Sequence, residues 1–258
     1  MFDPIGLISP FTIRAKMILL EIWKRRLKWD ERLPPDLAKT YQDWCEELQY
    51  LNKVTLPRHL FELKENDELT KWQLHCFVDA SKTVYGAVIY LRYGDLVGNS
   101  CSVLVASKSR VALVHEITIP RLEFLAPVVG ARLFQYIRNN LELPKDTKFC
   151  FWSDSTIVLH LIKGNSRKLK VFVKNRVEEI RTISNSDWWN HCSGKENPAD
   201  LLSRRDNLVA LKNKELWWNG SHWIRKDADH WPQSSNETSD SFEAECEIEN
   251  AITFFSRN

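Results

Sequence analysis

Leu74-His75-Cys76-Phe77-Val78-Asp79 marks the point where the apolar period of the chain changes from helical to extended. Val84 to Tyr93 and Ser102 to Ala106 follow. Together they make three β-rich runs separated by short turns, which read as an antiparallel meander. The segment opening at Pro120 returns to helical spacing through Leu122, Leu125, Val129, Leu133 and Ile137. The run Lys148-Phe149-Cys150-Phe151-Trp152 is nearly all apolar, the pattern of a strand covered on both faces in a parallel pairing. Three strands, a helix and a further strand predict an α/β chain built on a mixed sheet.

Beyond that strand, Ser155 is placed to cap a helix through Ile162, which Gly164 ends, and a basic amphipathic helix runs from Leu169 to Ile183. A short strand is expected near Trp188 to Cys192, and Pro198 opens one more helix. Trp188, Trp189, Trp217 and Trp218 stand in apolar contexts where packing is the usual role, so residues 205 to 231 are expected to fold back on the sheet. After Trp231 the chain is rich in Ser, Glu, Asp and Asn and reads as a disordered tail.

On the N-terminal side, Ser9-Pro10 supplies a cap and a first-turn proline for a helix carrying Ile13, Met17, Leu20 and Trp23. A second start at Pro34-Pro35 leads into a stripe of Leu37, Tyr41, Trp44, Leu48 and Leu51 that must dock on something. The pair predicts a helical hairpin.

A chain of 258 residues with 43% apolar content suffices for one substantial core and a smaller helical appendage. A net charge of +2 is too small to advertise a nucleic-acid binder, because positive charge must be clustered to neutralise phosphates. Lys24, Arg25, Arg26 and Lys28 form one cluster; Lys163, Arg167, Lys168, Lys170, Lys174 and Arg176 form another. Each is either a phosphate-contacting surface or a solvated helix face.

The six cysteines are scattered singly, which predicts a reduced, intracellular chain without a zinc site. No basic segment precedes an apolar core at the start, and no stretch approaches about eighteen uninterrupted apolar residues, so neither secretion nor membrane insertion is expected.

Four acids stand out. Asp79 ends the first strand and Asp154 follows the later apolar one; if those strands are parallel neighbours, both carboxylates emerge at one edge of the sheet, where ligands of open α/β sheets bind. Glu123 and Asp200 each fall in the expected first turn of a proline-opened helix, near its positive end. Nucleases that use two metal ions need several carboxylates converging on one place. An oxygen-only donor set points to two Mg²⁺, with Mn²⁺ as the substitute, and away from zinc. Singly, Asp79 and Asp154 are more simply turn or cap residues, and Glu123 and Asp200 first-turn helix residues; the weight lies in the ordered set.

Phe77-Val78-Asp79-Ala80-Ser81, Arg121-Leu122-Glu123, Trp152-Ser153-Asp154-Ser155 and Asn197-Pro198-Ala199-Asp200-Leu201-Leu202-Ser203-Arg204 resemble the four acidic motifs of retroelement ribonuclease H domains. Phe2-Asp3-Pro4-Ile5-Gly6-Leu7-Ile8-Ser9-Pro10, Ile119-Pro120-Arg121-Leu122-Glu123 and Trp217-Trp218-Asn219-Gly220 narrow the resemblance to the Pol polyprotein of BEL/Pao retrotransposons.

The resemblance implies a ribonuclease H-like mixed five-stranded sheet flanked by helices and preceded by a helical connection segment. It implies a division into that segment at 1–70, the ribonuclease H-like domain with its C-terminal extension at 71–231, and a tail at 232–258. It further implies cleavage of the RNA strand of an RNA/DNA hybrid, with Asp79 and Asp154 holding or bridging both metals, Glu123 holding one and Asp200 positioning the other. The reverse transcriptase segment of the parent polyprotein would be a partner, in a cytoplasmic virus-like particle or the nucleus.

Two departures bear on this. Pro127 falls where relatives carry a helix former and removes the amide that would bond the carbonyl of Glu123, which predicts a kink or a loss of about 3 kcal/mol and a displaced Glu123. Lys195 stands where cellular ribonucleases H place a mobile histidine, while His191 nearby reads as a strand residue.

Two other functions compete. Part of the Pao-type region is also classed with aspartic peptidases, and Asp79-Ala80-Ser81 loosely matches an Asp-Thr/Ser-Gly loop, although neither Asp79 nor Asp154 precedes a glycine. A decayed fragment that only binds nucleic acid or a partner is the other.

Overall fold

The computed structural model describes residues 3–55, 70–94, 99–112, 119–164, 169–204 and 206–233. Five strands form one sheet: β1 (Thr70–Ala80), β2 (Val84–Gly94), β3 (Ser100–Val111), β4 (Lys148–Ser153) and β5 (Trp189–His191). Their spatial order is β3-β2-β1-β4-β5. β1, β2 and β3 make the antiparallel meander, while β4 pairs parallel with β1 and β5 parallel with β4. This is the ribonuclease H-like mixed sheet that the motifs imply.

Alternation along β1 splits the core in two. Leu74, Cys76 and Val78 face α3 (Ile119–Asn140), α4 (Thr156–Lys163) and α5 (Val171–Ile183), packing with Phe124, Phe134, Val158 and Val177. Phe77 lies in the other cluster with Val88, Tyr90 and Trp152.

That second face is covered from both ends of the chain. The helix α1 (Ser9–Lys24) brings Phe11 and Ile13, and the segment holding α6 (Leu201–Arg204), α7 (Leu208–Lys212) and α8 (Glu215–Asn219) brings Leu202, Leu211 and Trp217, all buried. Residues 206–231 therefore do fold back on the sheet: the Tyr90 hydroxyl donates to the Trp217 carbonyl at 2.7 Å, and Trp217 Nε1 donates to the Leu7 carbonyl at 2.8 Å. Within the same face His75 is fully buried; Trp152 Nε1 donates to its Nδ1 at 3.0 Å, and burial pushes its pKa down to about 3, so the ring is neutral.

The N-terminal helices form the expected hairpin. Trp44 of α2 (Pro35–Glu47) stacks on Phe11 at 5.3 Å and Arg14 pairs with Glu47 at 2.8 Å. The stripe docks incompletely, because Tyr41 stays 49% exposed and the helix tightens into a 3-10 turn at Leu48–Lys53.

One cap differs from expectation. Ser9 lies inside α1 and meets the Ser107 hydroxyl at 2.7 Å, while the Asp3 carboxylate accepts the Leu7 and Ile8 amides at 2.9 and 3.1 Å. Asp3 thus fixes the turn that precedes α1, whose N-cap position is Ile8 and receives no side-chain cap. Of the tail expected at 232–258, residues 234–258 lie outside the described residues.

Gly130 sets how closely α3 lies on the sheet: a Cβ there would meet Val78 Cγ1 at 2.5 Å and Cys76 Sγ at 3.2 Å. Gly130→Ala gains about 1 kcal/mol of helix propensity. It forces stiff, β-branched Val78 aside at a cost of about 1–3 kcal/mol. Urea unfolding is expected to show net destabilisation; a midpoint at or above that of the parent would disprove the close-contact argument.

Candidate active site

The register of β1 with β4 places the first two acids. Phe77 stands opposite Trp152, so two steps further along each chain Asp79 and Asp154 come level at the C-terminal edge of the parallel pair. Asp79 is the penultimate residue of β1 and is half-buried; Asp154 directly follows β4 and is open to solvent. Gly194 lies against Asp154 so closely that a Cβ would approach Oδ2 to 3.0 Å.

Glu123 reaches the same place from α3, but not from its first turn. The helix begins at Ile119, which puts Glu123 in the second turn, beyond the strongest field of the helix start. A hydroxyl holds it instead: Ser155 Oγ donates to Glu123 Oε2 at 2.8 Å. Ser155 also caps α4 by accepting the Val158 amide, as its position predicts. Pro127 does not end the helix, since α3 runs unbroken to Asn140 with Pro127 inside it. Asp79, Glu123, Asp154, Ser155 and Pro127 line one cavity of about 130 Å³.

Asp200 comes from the far side, and its anchor is a residue whose role the sequence did not disclose. Asn197 is fully buried; its Nδ2 donates to the Val78 carbonyl at 2.9 Å and its Oδ1 accepts the Ala199 amide at 3.0 Å. This side chain ties the 3-10 turn Pro198–Asp200 to β1 one residue before Asp79. Asp200 is outside the cavity lining and paired with Arg204, whose Nε lies 2.6 Å from Oδ2.

The four acids feel one another. Burial, then the charges of Asp154 and Asp200 and, more weakly, Glu123, raise the Asp79 pKa to about 7, against the lowering effect of the Ala80 amide. Partial desolvation and Asp200 raise Asp154, although one side of it is open to water; its own backbone amide and His191 pull it down. His191 sits in β5, as read, yet close enough for its charge to act on Asp154.

Among the described residues no three His, Cys, Asp or Glu side chains close on a point as metal ligands. Glu123 is turned to Ser155 and Asp200 to Arg204. The donors nevertheless suit hard divalent cations. They are all oxygen, and a bound cation would offset the burial and the neighbouring negative charges that raise Asp79.

The second basic cluster is described in part. Lys163 and Lys174 are exposed on α4 and α5, Lys170 is the N-cap of α5, and the Arg176 guanidinium lies 4.1 Å from the Phe172 ring centroid. Arg167 and Lys168 lie outside the described residues. Arg181, a cation not singled out in the sequence, donates to the Leu161 and Ile162 carbonyls and closes the end of α4.

The model of the Pao retrotransposon-like RNaseH-like domain matches residues 1–155. The chain belongs to this family. The match takes in Asp79, Glu123 and Asp154 but ends before Asp200. No curated protein matches the Pao-type chain.

Among solved structures, the ribonuclease H1 of Halobacterium salinarum is 13% identical and covers 52% of this chain and 94% of its own, with a TM-score of 0.34. The N-terminal ribonuclease H domain of rv2228c from Mycobacterium tuberculosis is 9% identical over 52% and 96%, with a TM-score of 0.34. LC11 ribonuclease H1, solved in complex with an RNA/DNA hybrid, is 18% identical over 55% and 99%, with a TM-score of 0.34.

The raised Asp79 pKa makes stability depend on pH. Folded Asp79 titrates near 7 and unfolded Asp near 3.9, so its contribution is fully present below about pH 4 and is lost as pH rises toward 7. In chelator-treated protein, Asp79→Asn is expected to stabilise at pH 8 by on the order of 1–2 kcal/mol, a fraction of the full linkage for a half-buried group. Thermal melts at pH 4.5 should show a much smaller gain; an equal gain at both pH values would remove the electrostatic cause.

Proposed function

We propose that this Pao-type chain hydrolyses the RNA strand of an RNA/DNA hybrid at the edge carrying Asp79 and Asp154. The observation that carries this is the convergence of Asp79, Glu123 and Asp154 on one cavity, with Asp200 near enough to act on Asp79 by charge. Two Mg²⁺, or Mn²⁺ in their place, would supply Lewis acidity and an activated water at such a site.

The chain's own residues divide the remaining work. Asp79 and Asp154, on adjacent parallel strands, would hold the cations together with Glu123 and Asp200. Ser155 holds Glu123 until that carboxylate is needed as a ligand, and Arg204 does the same for Asp200. Exposed Lys163 and Lys174, with Lys170 and Arg176 beside them, lie along α4 and α5 just beyond Asp154 and supply cations for phosphate oxygens. Reading a hybrid there rests on backbone shape and 2′-hydroxyls, so little sequence preference follows.

Neither competing function draws a specific observation. Continuity of α3 through Pro127, with Glu123 lining the cavity, supports a working site over a decayed one.

The full chain is expected to cleave the RNA of a labelled hybrid duplex with Mg²⁺ and to lose activity on chelation. Asp154→Asn should lower the rate by about three orders of magnitude or more without loss of folding. A parent chain that binds Mg²⁺ yet leaves the hybrid intact, or an Asp154→Asn variant that cuts as well as the parent, would refute the assignment.

A further inference from the structure

A second cavity, of about 490 Å³, lies at the opposite end of β1. Gln73 lines it and Asp79 lines the acidic site; six residues of extended strand separate them, about 20 Å. Its volume falls within the roughly 300–1,000 Å³ usual for small-molecule sites.

Trp72 and Trp231 both line it, reaching it from opposite faces of the sheet, and both rings are held. Trp72 packs against Tyr93 at 5.9 Å, while Trp231 Nε1 donates to the Lys226 carbonyl at 3.1 Å and its ring meets the edge of His75 at 5.1 Å. Walls fixed in advance cost a ligand little ordering.

The floor is cationic. Arg92 is only 2% exposed, and a buried guanidinium ordinarily has a carboxylate beside it. Here Asp227 acts on Arg92 by charge without a contact ion pair among the described residues, and the guanidinium lies 6.0 Å from the Trp231 ring centroid. Its Nη1 donates to Gln73 Oε1 at 3.1 Å, its Nη2 to Ser100 Oγ at 2.8 Å and to the Lys226 carbonyl at 3.2 Å, and its Nε has no partner. Two exposed lysines, Lys71 and Lys148, stand at the mouth. Lys71 sits at φ 56° in an irregular stretch of β1, a strained conformation for a residue with a Cβ and one that tends to occur at ligand clamps.

Asp146 and Asp227 also line the cavity. Three cations against two carboxylates leave room for one compact anionic group, while the carboxylates oppose a polyanionic strand.

We propose that this cavity binds a small aromatic anion, with the flat body against the lining tryptophans and the anionic group toward Arg92, Lys71 and Lys148. A nucleoside monophosphate and an aromatic carboxylate share that chemistry. The site is independent of the nuclease edge.

Calorimetric titration of the full chain with adenosine monophosphate, adenosine, indole-3-carboxylate, indole and inorganic phosphate tests it. At least one aromatic anion should bind about tenfold or more tighter than both its neutral counterpart and phosphate alone, and which one binds identifies the anionic group. The exposed pair Lys71→Gln/Lys148→Gln should weaken that binding about tenfold, with hybrid cleavage unchanged. On the parent chain, the indole N–H resonances of Trp72 and Trp231 should shift on titration while that of core Trp189 does not. Binding of neither anion, equal binding of the neutral rings, an unaffected double variant, or shifts confined to other tryptophans would overturn the proposal.

Discussion

The parallel pairing of β1 with β4 joins Phe77 to Trp152, and the candidate site exists only while that register holds. Side chains alternate along a strand, so a slip of one residue on either chain would send Asp79 or Asp154 to the opposite face and drive Phe77 or Trp152 out of the core. The register is guarded by burial on both sides: Phe151 packs toward α3, where Phe134 lies 4.9 Å away, and Trp152 packs beside Phe77 at 6.1 Å. Two carboxylates that repel are thus held level by aromatic side chains that cannot move without opening the core.

Much of this was legible because it rests on local pattern. Period-two runs announced the meander, the nearly continuous apolar run announced β4, and Ser155 was rightly read as the cap of α4. What escaped reading depends on contacts between distant segments. No side chain caps α1: Ile8 stands at its N-cap, Ser9 lies inside it, and Asp3 instead ties down the turn before it, an arrangement set by where the chain enters. Asn197 looked like the start of a helix, while its larger task, clamping the Asp200 turn to Val78, needs the fold to be seen. Pro127 looked damaging because propensity costs the helix about 3 kcal/mol. Burial of Leu122, Phe124, Ala126 and Val128 around it keeps α3 continuous all the same, an instance of tertiary packing overriding a local preference.

The two faces of the sheet also differ in how they are filled. Helices inserted between the strands cover one face, so sequence order and packing agree. The other is closed by the first helices and the last turns together, with Phe11, Trp217 and Trp223 in one cluster. Family membership shows in residues 1–155, yet Leu201, Leu202, Leu208, Leu211, Trp217 and Trp223 lie beyond that match and are all buried in this cluster.

The bond from Trp217 to the Leu7 carbonyl spans 210 residues of sequence. During synthesis, which adds about 5–20 residues per second, the meander, α3 and β4 emerge well before Trp217 does. For that interval Phe77, Val88 and Tyr90 have only the first helix to cover them, and part of their apolar surface lies open on the nascent chain. Pairings of such long reach form slowly, so closure of the sheet's second face is a late event that waits for the final tryptophans.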